Sequence, residues 1–225
     1  MKKRIILILV IGMIIFICLL CYLGIVPVKK YTLSQFGINE LKSKIDYNNN
    51  GLDDYTDILN GAKIDAKNRP KYKSEYYAGG YPPDNIGVCT DVIWRAFKNA
   101  GYSLKDMVDN DIKNNQDDYD IDIIDSNIDF RRVVNLRVFF DKYATVLTND
   151  IYDIDEWMPG DIVIFGNNKH IGIVSNYRNS DGIAFIIHNG GQLVREENYL
   201  VRAKVTKHYR FDVSKINENV LVSWE

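Results

Sequence analysis

Three side chains in this sequence could together do covalent chemistry: the thiol of Cys89 and the imidazoles of His170 and His188. A cysteine nucleophile needs a lowered pKa, a base within hydrogen-bond reach and a third group that fixes the base in one tautomer. Cys89 stands where GVCTDVIWRAFKNAG takes up helical spacing, with Val92, Ile93, Ala96, Phe97 and Ala100 recurring on one face and Gly101 as a stop. The start of a helix offers free N–H groups and the positive end of its dipole, both of which favour a thiolate. His170 opens KHIGIVSN and His188 closes AFIIH. Neighbouring antiparallel strands bring cross-strand Cβ atoms to about 4.5–5.5 Å, close enough for two imidazoles to meet. Cys18 and Cys21 fall in an apolar N-terminal run, so Cys89 has no internal disulfide partner. The structural alternative is a buried cysteine packing as a small hydrophobe, with both histidines as ordinary strand ends.

Other polar residues have a structural and a functional reading. Asp91 would oppose ionisation of a thiol two residues away, and fits better as a favourable charge in the first turn of a helix. Asp161, in PGDIVIF, reads first as a turn residue. Arg131 and Arg132 could pair with the carboxylates of a peptide substrate, or else face solvent or the Asp-rich stretch before them. Tyr81, with Tyr76 and Tyr77, could line a groove or simply pack. A separate motif, DYNNNGLDDYTD, has calcium-loop spacing: Asp46, Asn48, Asn50, the Leu52 carbonyl, Asp54 and Asp57 as oxygen ligands, with Gly51 at the sharp turn. Asn at two ligand positions and Asp at the last predict weak affinity, suited to millimolar calcium and to a structural role. A solvated Asn/Asp-rich loop is the alternative.

These residues need elements to position them. Periodicity predicts helices over 54–68, 89–100, 104–114 and 131–143, with Tyr31–Lys44 a tether leading into a short helix and 115–129 a polar connection. Beyond Trp157 the period changes to two, giving strands near 161–165, 170–175, 183–188 and 200–208, joined by Gly-, Asn- and Asp-rich turns. Helices followed by an antiparallel sheet make an α+β fold.

Lys+Arg 28 against Asp+Glu 30 leaves a net charge of −2, without the basic excess that nucleic-acid binding requires. With 46% hydrophobic residues, the chain has the apolar content of a folded protein. Ile5 to Val26 carries no charge over 22 residues, long enough to cross a bilayer, and no small-residue cleavage site follows it. It reads as an uncleaved anchor, with cleaved or lipidated forms as the alternatives. Lys2, Lys3, Arg4 and the amino terminus outweigh Lys29 and Lys30, which predicts a cytoplasmic N-terminus and an extracellular main domain on a single-pass membrane protein. The expected organisation is an anchor over 1–30, a calcium-loop extension over 31–70 and one domain over 71–225.

Taken in order, GVCTDVIWRAFKNAG, MPGDIVIF, HIGIVSN and FIIHNGG resemble the NlpC-like cell-wall cysteine peptidases of the papain-like superfamily. GGYPPDNIGVCTDV, SNIDFRRVVNL, HIGIVS and IHNGG resemble, more closely, an uncharacterised bacterial domain-of-unknown-function family assigned to that fold. The resemblance covers roughly 76–211. It implies a papain-like fold with Cys89 as nucleophile, His170 as general base and then acid, and His188 as the group orienting His170, with Asn189 as its rival. The implied reaction is thiol attack on an amide of cell-wall peptide, through a thioester, with no cofactor needed for catalysis and peptidoglycan fragments as partners. Amidase, endopeptidase and transpeptidase all use this chemistry. The alternative is a non-catalytic, calcium-braced wall-binding or structural module on the same fold.

Overall fold

The computed structural model describes residues 2–22 and 28–225; the end of the apolar run, Leu23 to Val26, lies outside the described residues, as do the side chains of Lys2, Cys21 and Tyr22. Helix α1 (Lys2–Tyr22) is long and apolar enough to cross a membrane. Its side chains from Lys3 to Leu19 are exposed. A spanning anchor and a signal sequence both have this form.

Four further helices follow: α2 (Asp54–Asn68), α3 (Cys89–Asn99), α4 (Leu104–Asn114) and α5 (Val133–Tyr143). Each lies within two residues of its expected span. Interspersed are the short strands β1 (Tyr31–Thr32), β2 (Lys71–Tyr72), β3 (Ile86–Gly87) and β4 (Thr145–Val146). The sheet is then completed by β5 (Ile162–Phe165), β6 (His170–Arg178), β7 (Ala184–Ile187), β8 (Glu196–Glu197) and β9 (Val205–Arg210). The seven-stranded sheet runs β4-β9-β5-β6-β7-β8, with β1 added beside the far end of β6, and all its pairs are antiparallel. This is an α+β architecture.

Period-two alternation decides what each face buries. Ile162, Ile164, Ile171, Ile173 and Ile187 turn toward the helices and meet Val92, Ile93, Ala96 and Phe97 of α3. Val163, Phe165, Val174 and Ile186 turn the other way, onto Trp157, Ile183 and Leu200. Covering both faces is why β5 and β7 are buried at every residue. Fully burying a Phe or Ile side chain contributes about 1.5–3 kcal/mol, so α3 is fixed to the sheet by several such terms.

The segment 31–70 shares this core. Ile58, Leu59 and Ala62 of α2 pack into it, and a Cβ on Gly61 would lie 2.6 Å from Asn99 Cβ and 2.8 Å from Ala96 Cα, so only glycine permits this approach of α2 to α3. The expected tether at Tyr31 is instead an edge strand, followed by a turn of 3-10 helix at Leu33–Phe36. Lys30 is ion-paired with Glu196 of β8 at 2.7 Å. The last strand also begins later than expected. Leu200 is buried in a turn, and pairing with β5 starts only at Val205.

Candidate functional site

Cys89 is the first residue of α3, behind an extended Val88. Asp91 makes that start rigid. One oxygen accepts the Val88 N–H at 2.7 Å, and the other accepts Trp94 Nε1–H at 2.7 Å. Arg131 grips the same carboxylate twice, Nε to Oδ1 at 2.8 Å and Nη2 to Oδ2 at 3.0 Å, with both side chains almost fully buried. Thr90 Oγ1 adds a bond to the Arg131 carbonyl at 3.0 Å. Arg131 is therefore committed to holding the 3-10 turn Asp129–Arg131 against α3, which corrects its assignment to substrate binding.

Cys89, at the start of α3, and Ile171, near the start of β6, share one buried cluster, and the Ile171 N–H favours the ionised thiol. The next residue back is His170. Its Nε2 lies 2.8 Å from Nδ1 of His188, and His188 Nε2 lies 3.1 Å from Glu197 Oε1. Arg202 Nη2 closes the series at 2.5 Å from Glu197 Oε2. Tyr199 covers the two rings, its centroid 4.2 Å from that of His188 and 5.5 Å from that of His170. An open cleft of about 570 Å³ lies over the rings, walled by Tyr72, Gly190, Gln192, Tyr199 and Arg202. Cys89 is 8% exposed and is not on that wall. The ring nitrogens of His170 and His188 bond to each other, Glu197 and Gln192; none bonds to the sulfur.

The electrostatics run opposite to the expected thiolate. Burial pushes the Cys89 thiol up to about 11, and the Ile171 and Thr90 N–H groups only partly offset it. Burial, and then the charge of His188, push His170 down to about 4. His188 is also lowered by burial, against the opposing hydrogen bond and charge of Glu197. Burial alone would raise Glu197, but the His188 bond and the charges of His188 and Arg202 outweigh it and hold the carboxyl below its usual range. At neutral pH the resting pair is thus a thiol and a neutral imidazole. The free N–H groups at the start of α3 do not compensate for desolvation of a sulfur anion.

The remaining expected residues fall elsewhere. Asn189 is buried, donating to the Pro70 and Gly87 carbonyls at 3.3 and 3.0 Å and accepting the Gly191 N–H; it braces the loop after β7 and takes no part in orienting His170. Arg132 pairs with Asp129 at 3.2 Å. Tyr81 packs among Trp94, Phe130 and Trp224, away from the histidine cleft. Asp161 is more than a turn residue, since it accepts from Met158 N–H, His208 Nε2 and Arg210 and so ties β5 to β9.

In the expected calcium loop, Asp46 accepts the Asn50 and Gly51 N–H groups, and the amides of Asn48 and Asn50 both donate to Asp57 Oδ2, at 3.0 and 2.9 Å. Gly51 holds φ +90°, a conformation that side chains resist. The Asn50 side-chain oxygen Oδ1 accepts the Leu52 N–H. Asp54 leaves the set: it accepts the Tyr47 N–H and the Tyr102 hydroxyl, at 2.9 and 2.7 Å, and is buried. Among the described residues, no group of three or more His, Cys, Asp or Glu side chains is placed to hold a metal ion.

Glu197, Arg202, Tyr199 and Gln192 are the site residues that sequence reasoning missed. EENY carries no periodic signal, and only the β7–β8 register, Ile186 opposite Glu197, brings it to the histidines.

The fold and site define an α+β protein with a buried cysteine at the start of α3 and a two-histidine, one-carboxylate series on the strands of the sheet. The chain belongs to the family described as "Domain of unknown function (DUF1287)", whose model matches residues 59–211. It is 34% identical over 151 residues to "Uncharacterized protein YijF" of Escherichia coli (strain K12), an alignment covering 64% of this chain and 73% of that protein. No solved structure matches the chain.

Proposed function

We propose that this protein is a thiol hydrolase of papain-like, NlpC-type design, acting outside the cell on an amide bond of cell-wall peptide. The observation that carries the reading is the burial of Cys89, at the start of α3, in one cluster with Ile171 of the strand that begins with His170, itself hydrogen-bonded to His188 at 2.8 Å. In this reading His170 takes the Cys89 proton as the sulfur attacks the amide carbonyl carbon. The Cys89 N–H, left free by its place in the first turn, would hold the oxyanion. The amine leaves with that proton, and water, deprotonated by His170, hydrolyses the thioester. A thiol near 11 and an imidazole near 4 leave no preformed ion pair, so in this reading His170 takes the proton only as the sulfur–carbon bond forms. The cleft beside Tyr72, Tyr199 and Arg202 offers aromatic and cationic surface for the peptide. Anchorage by α1, with the domain outside the membrane, would place it against the wall.

Peptidoglycan fragments incubated with wild type, Cys89→Ala and His170→Ala, with products read by mass spectrometry, test the proposal. New fragments from wild type alone support it. Identical products from all three would sink it.

We propose calcium as a brace for the Asp46–Asp57 loop, not as a participant in the chemistry. What supports this is the convergence of Asn48 and Asn50 on Asp57 beside Asp46. Turning the two amides over would present oxygens where nitrogens now face Asp57, which is the donor chemistry a hard cation takes. Asp54 is not part of that set.

A further inference from the structure

We propose that Glu197 is a positioning residue that sets the tautomers of both site histidines, so that the lone pair available as base is on Nδ1 of His170. The inference rests on the hydrolase reading for its consequence, but its physical content is a chain of donors and acceptors that holds whether or not the protein is an enzyme.

The chain starts at Arg202, which can only donate. Its Nη2 faces Glu197 Oε2 at 2.5 Å and keeps that carboxylate ionised and fixed. An ionised carboxylate can only accept, so the His188 nitrogen facing Glu197 Oε1 at 3.1 Å, Nε2, must carry hydrogen. His188 is buried and neutral at neutral pH, so its Nδ1 is the acceptor. Nδ1 lies 2.8 Å from His170 Nε2, which must therefore donate. A neutral His170 with hydrogen on Nε2 has its lone pair on Nδ1. Gln192 does not disturb this order. Its oxygen is taken by the Gly190 N–H at 2.7 Å, and its nitrogen, 3.2 Å from His188 Nδ1 and 3.3 Å from Nε2, donates to the His188 carbonyl oxygen at 2.9 Å. The groups against the two rings are Glu197, Tyr199, Gln192 and Phe165, with Arg202 behind Glu197, and among them Glu197 is the one ionised acceptor.

Register makes the arrangement specific. Ile186 pairs with Glu197, and the His188 N–H donates to the Arg195 carbonyl, so Glu197 is diagonal to His188 across β7–β8, as His170 is across β6–β7. One buried ring thus touches a diagonal neighbour on each side.

The test uses the full chain in detergent, labelled with 15N-histidine. Its three histidines are assigned with His208→Gln and His170→Gln variants, which leave His188 by difference, and long-range 1H–15N spectra at pH 7 report which ring nitrogen carries hydrogen. Wild type should show hydrogen on Nε2 and a pyridine-like Nδ1 for both His170 and His188. In Glu197→Gln, Arg202 holds the amide oxygen, the amide nitrogen turns to His188, and hydrogen on His170 should move to Nδ1. Glu197→Asp should keep the wild-type pattern. Hydrogen on His170 Nδ1 in the wild type overturns the proposal even if a variant fails to fold, and so does a Glu197→Gln spectrum identical to wild type. Fragment release should fall by on the order of 10³–10⁴-fold in Glu197→Gln, as when a histidine base is put in the wrong tautomer. If the spectra follow the expected pattern while wild type releases nothing, the tautomer inference stands and the hydrolase reading fails.

Discussion

His188 meets His170 diagonally across the β6–β7 ladder, and Gly172 is the residue that leaves room for it. Extending the register one step beyond Ile173 and Ile187 puts Gly172 opposite His188. A Cβ on Gly172 would lie 2.6 Å from Ile186 Cγ2, 2.9 Å from the Ile187 carbonyl oxygen and 3.2 Å from His188 Cβ. Any side chain there pushes β7 away and with it the second imidazole.

Gly172→Ala should therefore lower stability by about 1–3 kcal/mol, the usual cost of overpacking, and break the 2.8 Å contact between the rings. Urea unfolding reads the first effect and the histidine 15N shifts the second. Wild-type stability with unchanged shifts would contradict the close approach.

The inverted pKa values of Cys89 and His170 predict a distinctive pH dependence. Alkylation of Cys89 by iodoacetamide should climb steadily with pH through 9, toward its midpoint near 11, without the plateau below pH 7 that an ion pair would give. His170 should titrate near 4. Its folded pKa lies below the ordinary histidine value of about 6.5, so the unfolded chain binds the extra proton first. The stability it contributes is complete above about pH 6.5 and is lost as pH falls toward 4. Denaturation midpoints between pH 4 and 7, compared with His170→Gln, check the sign: the variant should lose less stability on acidification.

Breaking the Asp91–Arg131 pair should cost about 3–5 kcal/mol, because Arg131→Met leaves a buried carboxylate unpaired. The denaturation midpoint should drop with little change in slope. A substrate-binding role would instead raise KM in a variant of unchanged stability.

For the Asp46–Asp57 loop, calcium at about ten times its Kd should raise Tm by roughly 3–6 °C, reversed by chelator and absent in Asp57→Ala. A melting curve indifferent to millimolar calcium would remove the brace and leave an Asn/Asp-rich turn held by its own amides.

What was legible in the sequence was local. Val92, Ile93, Ala96 and Phe97 of α3 and the alternation of Ile162 and Ile164 with Val163 and Phe165 are set by short-range periods, so these elements could be read directly, and with them the placement of Cys89 at a helix start and of His170 and His188 at strand ends. Only tertiary structure decided the rest. Glu197 reached His188, and Arg131 was drawn to Asp91 40 residues away, through register and packing between distant segments. The charge states followed the same division: a helix start favours a thiolate by local geometry, but desolvation depends on everything folded around Cys89, and at this site it is the larger effect.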